Sequence, residues 1–269
     1  DILDVSETRF EECPAEYKKE IETLQSMDHA GNPDAYEVYQ YVVTGKRSSI
    51  KKDLDENKIC FITAVNDEEM YSECMDHLNR LNEPDGMTID AIAIRGAASM
   101  TSAYNEAMAS SDAKYKIYMH QDVMITDRDF LIKLIDTFNS DKNIGIAGVV
   151  GTKKMPKDGI WWNGTMCGQF IDSHEGELKE YKYGYSSEDI IPVETLDGLI
   201  LCTGYDVPWR DDLFDKWHFY DVSQCMEFGR RGYLAVVIPS DAPMVEHRSG
   251  IASMKDYESE RLKFINEYM

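Results

Sequence analysis

Between Ile59 and Val150 the chain alternates short, β-rich apolar runs with segments of helical spacing, and few folds accept that order. Ile59-Cys60-Phe61-Ile62-Thr63-Ala64-Val65 is apolar at nearly every position, as a strand buried on both faces requires. Asn66-Asp67 stops it. The stretch 68–81 then sets Met70, Cys74, Leu78 and Leu81 on one helical face. The pattern continues with a strand over 88–94, a helix over 101–109, a strand over 115–119 ending in His120-Gln121-Asp122, a helix over 127–138 and a strand over 144–150. Such alternation builds βαβ units, and so an α/β domain with a mainly parallel central sheet flanked by helices.

The second half is less regular. Residues 151–195 predict loops and short strands; 195–203 and 233–238 read as strands, 221–229 as a helix and 253–268 as a final amphipathic helix. The polar residues 1–57 read as a helical N-terminal appendage, with helices over 15–27 and 33–43, ahead of a domain over 58–269. Gly45-Lys46 is not a phosphate-binding loop, because no glycine stands five residues before Gly45.

Charge narrows the partners. Lys and Arg total 28 against 50 Asp and Glu, a formal net charge of −22 with no basic block. A nucleic-acid surface needs clustered positive charge, so nucleic acid is excluded as a partner. An acidic chain that binds an anionic metabolite needs a local device, most commonly a divalent cation. No run approaches the roughly 20 apolar residues of a transmembrane helix, which excludes a span within this chain and leaves peripheral membrane association open. The six cysteines form no C-x-x-C pair and read as reduced, small hydrophobic residues, which suits a reducing, cytoplasmic setting.

In an open parallel sheet, ligands bind beyond the carboxyl ends of the strands. Those ends carry Asn66-Asp67, Arg95-Gly96 and His120-Gln121-Asp122. No G-x-G-x-x-G follows the first strand, so phosphates are not cradled by a glycine loop. Asp122 is placed either to ligate a cation in the crevice or to start a turn. His120 falls on the same side of an extended strand, but H-x-D alone is a weak metal signal. Asp221 is either a general base or the N-cap of a capping box with Gln224. His247, after the apolar pair Met244-Val245, reads first as a structural histidine. Trp161-Trp162 either face a sugar ring or pack into the core.

Taken in order, these segments resemble family 2 glycosyltransferases of GT-A fold, the nucleotide-diphospho-sugar transferase fold, and in particular a bacterial glycosyltransferase-like subgroup. Ile59 to Asn66 resembles the family's opening strand, and Ser102-Ala103-Tyr104-Asn105-Glu106-Ala107 its helix before the metal strand. Lys116 to Asp122 resembles the D-x-D strand, with Asp122 on the final Asp and His120 in place of the first. Phe219-Tyr220-Asp221-Val222-Ser223, followed by Gly232-Tyr233, resembles the acceptor segment. The resemblance implies metal-dependent, inverting transfer from a nucleoside-diphosphate sugar to a glycan or glycolipid acceptor, with Mn²⁺ or Mg²⁺. It implies donor contacts near Thr63, Ala64, Asn66, Arg95, Gln121 and Asp122, and metal binding by Asp122, His247 and His120. Asp221 becomes the base, with Asp197, Gly198, Trp161, Trp162 and His218 on the acceptor side. No Q-x-x-R-W sequence is present, which disfavours a processive synthase. A binding module without turnover, or a hydrolase using paired carboxylates, remain competing readings.

Overall fold

The computed structural model describes residues 53–184, 189–250 and 253–269. The helices expected over 15–27 and 33–43 lie outside them. The first half runs β1 (Asp55–Val65), α1 (Glu68–Leu78), β2 (Thr88–Arg95), α2 (Met100–Ser110), β3 (Ala113–His120), β4 (Val123–Ile125) and α3 (Phe130–Ser140). Eight short strands follow: β5 (Ile144–Gly148), β6 (Val150–Thr152), β7 (Met166–Asp172), β8 (Lys179–Tyr183), β9 (Ile191–Val193), β10 (Thr195–Leu196) and β11 (Ile200–Thr203), then, after α4 (Tyr220–Arg230), β12 (Leu234–Val237). β13 (Val245–His247) and α5 (Tyr257–Tyr268) close the chain.

One sheet has the order β2-β1-β3-β11-β5-β12-β9. β1, β2, β3, β5 and β12 run the same way and only β9 and β11 oppose them, so the sheet is mainly parallel, as the alternation requires. β1 is buried on both faces: Ile59 and Phe61 join one core cluster, Cys60 and Ile62 the other. Ile59, Phe61 and Ile62 each contribute roughly 1.5–3 kcal/mol of burial. On the first side Cys74 of α1 is buried and Met70, Leu78 and Leu81 pack around it. Tyr104 and Ala107 of α2 close the second side. Asp67, which ends β1, caps α1 by accepting from the Glu69 and Met70 amides. The five described cysteines are free and buried.

The structure differs from the sequence pattern in three places. β1 begins at Asp55, inside the segment assigned to the appendage, because its first turn of strand is polar and held by Lys58 to Asp90 and Asp112 rather than by apolar burial. The single strands expected over 144–150 and 195–203 each divide in two and pass between sheets. The weakly patterned stretch 151–195 supplies much of a second sheet, β10-β6-β7-β13-β4 with β8 on β7.

The two-sheet crossover rests on a close backbone approach. Gly168 of β7 has φ +110°, and a Cβ there would lie 2.1 Å from the Val149 carbonyl oxygen. Gly168→Ala therefore combines an unfavourable dihedral with a backbone clash. We expect it to lower unfolding free energy by about 2–4 kcal/mol, read as a reduced denaturant midpoint with little change in slope.

Candidate active site

The carboxyl ends of β1 and β3 open onto a cavity of about 800 Å³. Ala64, Asn66, His120, Gln121, Asp122, Trp161, Trp162, Asp197, His218 and Asp221, all singled out from sequence, line it. His247 touches Asp122 from β13, and Gly198 sits behind Asp221. Two candidates fall elsewhere. Thr63 is buried within β1, one residue short of the mouth. Arg95 at the end of β2 is exposed and forks onto Glu68, with Nε to Oε1 at 2.5 Å. Gln121 serves as a clamp: its Oε1 accepts from the Asn66 and Asp67 amides at 2.9 and 3.0 Å, joining the tips of β1 and β3.

His120, Asp122 and His247 form a three-ligand group. His247 Nε2 lies 3.4 Å from Asp122 Oδ1 and 3.4 Å from His120 Nδ1, and the third side of the triangle is 3.9 Å. Ligand atoms about 2.1 Å from one ion stand roughly 3.0–3.4 Å apart, so the group is close to the size of a cation site. Asp122 Oδ1 is buried and, beyond its 3.4 Å contact with His247 Nε2, has no hydrogen-bond partner among the described residues, an acceptor that a cation would satisfy. Behind it, His247 Nδ1 is 3.2 Å from Asp172 Oδ2, while Asp172 Oδ1 accepts from Ser249 Oγ and the His174 amide, both at 2.8 Å. This carboxylate–histidine arrangement fixes a ring for metal binding. The residues present therefore fit a divalent cation.

Without an ion, His247 itself carries the positive charge. Burial opposes its protonation, but hydrogen bonds and attraction from Asp122 and Asp172 outweigh that and raise its pKa to about 10. The same pairing holds Asp172 near 2 and Asp122 below the usual carboxylate range, against burial that pushes both upward. His120 moves the other way, to about 4, through burial and the neighbouring imidazolium.

The opposite wall is built differently. Phe219 begins α4 in a left-handed conformation (φ 61°), with no side-chain cap. The capping box expected at Asp221 is therefore absent: Asp221 lies inside the first turn, and its Oδ2 accepts from the Gly198 amide at 3.0 Å. The local D-x-x-Q pattern could not reveal that the chain enters the helix two residues earlier. Burial first, and then the nearby Asp197 carboxylate, raise Asp221 to about 7. Asp197 is raised as well, chiefly by burial, although its Oδ1 accepts from the Leu199 amide. Trp162 and Trp217 each expose nearly half their surface at the cavity, and Tyr257 stands 5.7 Å from the Trp162 ring. Asp172, Trp217, Tyr220 and Tyr257 escaped the sequence pattern as site residues, because each reaches the site by strand register or helix packing rather than through a local motif.

The mainly parallel sheet flanked by helices, with a cavity at the carboxyl ends of β1 and β3, agrees with the GT-A arrangement expected from the sequence. The sequence matches the Glycosyltransferase like family over residues 60–268, and the chain belongs to that family, of the family 2 type. No match to a curated protein is significant. Among solved structures, S. aureus TarS 1–349 superposes with a TM-score of 0.47 at 11% identity, covering 77% of this chain and 64% of that one. A mannosyltransferase from Pyrobaculum calidifontis, in complex with GDP-Man and Mn²⁺, gives 0.46 at 13% identity, with 82% and 66% covered. The chain thus spans under two thirds of these proteins' length.

The pKa pattern makes ion-free stability pH-dependent. His247 gains a folded pKa of about 10 from about 6.5 unfolded, so its contribution is complete below about pH 6.5 and is lost as pH rises towards 10. His120 has the opposite sign: its contribution is present above about 6.5 and is lost as pH falls towards 4. In EDTA, the melting temperature should fall by several degrees between pH 7 and 10, and His247→Gln should flatten that decline.

Proposed function

We propose that this chain transfers a hexose from a nucleoside-diphosphate sugar to an acceptor hydroxyl, with inversion, one sugar per encounter. The observation that carries the reading is the pairing of a cation-ready triad with a raised carboxylate across one cavity. His120, Asp122 and His247 would hold the ion. Two imidazoles and one carboxylate suit Mn²⁺ better than Mg²⁺, which favours oxygen ligands. When bound, the ion supplies Lewis-acid stabilisation of the charge that builds on the leaving diphosphate.

The chain's own groups do the rest. Ala64, Asn66 and Gln121 shape the donor end of the cavity at the β1 and β3 tips. Asp221, which lines the cavity and whose Oδ2 is held by the Gly198 amide, would act as the proton acceptor. A carboxyl raised to about 7 is a stronger base than an ordinary aspartate and is still ionised in a large fraction of molecules at neutral pH. Trp161, Trp162, Trp217 and His218 present flat apolar faces suited to the C–H side of an acceptor glycan or glycolipid sugar. The absence of Q-x-x-R-W supports non-processive transfer. Among the described residues, no helix is long and apolar enough to cross a membrane. The reading includes a cytoplasmic location with peripheral membrane contact, and an N-terminal appendage that ends before β1.

The test is sugar transfer or donor hydrolysis in Mn²⁺, across UDP-, GDP- and dTDP-sugars. Asp122→Ala and Asp221→Asn should each lower kcat about 100-fold or more, and unchanged rates in both would overturn the mechanism. The base must be ionised to act, so kcat/KM should rise with pH around a midpoint near 7, and Asp221→Asn should abolish that rise.

A further inference from the structure

We propose that Tyr220 is a positioning residue that links the ion-binding face of the cavity to the peptide holding the base. This rests on the reading of His120, Asp122 and His247 as ion ligands. His120 can offer Nδ1 to the ion position only if its other nitrogen carries the proton. That nitrogen, Nε2, lies 2.5 Å from the Tyr220 hydroxyl oxygen. The Tyr220 hydroxyl lies 3.2 Å from the Gly198 carbonyl, to which it donates its single proton. His120 Nε2–H therefore donates to Tyr220, and Tyr220 donates to Gly198. The amide of the same Gly198 donates to Asp221 Oδ2. One phenol thus sets the tautomer of a ligand histidine and pins the residue whose N–H orients the proposed base.

Packing holds the Tyr220 hydroxyl at this position. Tyr220 is only 4% exposed, and its ring centroid lies 5.9 Å from that of Tyr104 and 6.2 Å from that of Trp209, so the hydroxyl has little freedom to swing away. A Cβ on Gly198 would stand 2.2 Å from the Tyr220 oxygen and 2.9 Å from Asp221 Cβ. Only glycine lets the carbonyl meet the phenol while the amide meets the carboxylate. Gly198, expected from sequence on the acceptor side, is here the hinge between two hydrogen bonds.

The full chain is titrated with Mn²⁺ by electron paramagnetic resonance of the free ion, for the parent, Tyr220→Phe and Asp122→Ala. Loss of an outer-shell partner of a ligand histidine typically costs 10–100-fold in metal affinity, and that is the weakening expected for Tyr220→Phe. Affinity within twofold of the parent would overturn the inference while leaving the ion reading intact. Equal affinity of Asp122→Ala and the parent, or no binding by the parent, would instead overturn the ion reading itself. A second measurement needs no variant. Nitrogen-15 correlation spectra of the ion-free parent should show His120 protonated at Nε2, and a proton on Nδ1 alone would sink the proposal.

Discussion

The site depends on one imidazole held between two carboxylates. His247 faces Asp122 with one nitrogen and Asp172 with the other, at 3.4 and 3.2 Å. The residues come from three segments far apart in sequence, and a strand register unites two of them: His247 of β13 pairs with Asp172 of β7 in a parallel ladder. β4, which begins directly after Asp122, pairs with β13 on its other edge. The second sheet therefore delivers His247 and Asp172 to the tip of the first. In a chain of net charge −22, a protonated His247 is the local cation that lets the buried Asp172 and the half-buried Asp122 stay ionised.

The cavity is electrostatically divided. Asp122 and Asp172 sit beside imidazole and are held low; Asp197 and Asp221 are half-buried, desolvated without a comparable cation, and are driven up. Under the proposed mechanism, carboxyls of one chemical type take opposite tasks, ligation on one wall and proton acceptance on the other. Tyr220 and Gly198 connect those walls through hydrogen bonds, so the position of the ligand histidine and that of the base are mechanically joined.

Much of this was legible before any coordinates. The apolar run from Ile59, the stop at Asn66-Asp67 and the one-faced helix that follows specify a buried parallel strand and its return helix, and the structure has both. The ends of β1 and β3 then located Asn66, Gln121 and Asp122 at the cavity. Asp221 was read as a cap with Gln224 or a base, and the local pattern misplaced the start of the helix, because a left-handed Phe219 leaves no signature in a D-x-x-Q spacing. Asp172 carries no motif of its own in the sequence. Nothing local ties it to a histidine 75 residues away.

By itself the sequence determined the α/β alternation, the side of the sheet on which ligands gather and the need for a counter-charge, because burial periodicity and net charge are properties of residues in order. Tertiary structure alone decided which acids are held ionised and which are driven up. Those identities follow from distances to His247, Gly198 and Asp197, and from exclusion of water around each carboxyl, and neither exists until the two sheets have packed.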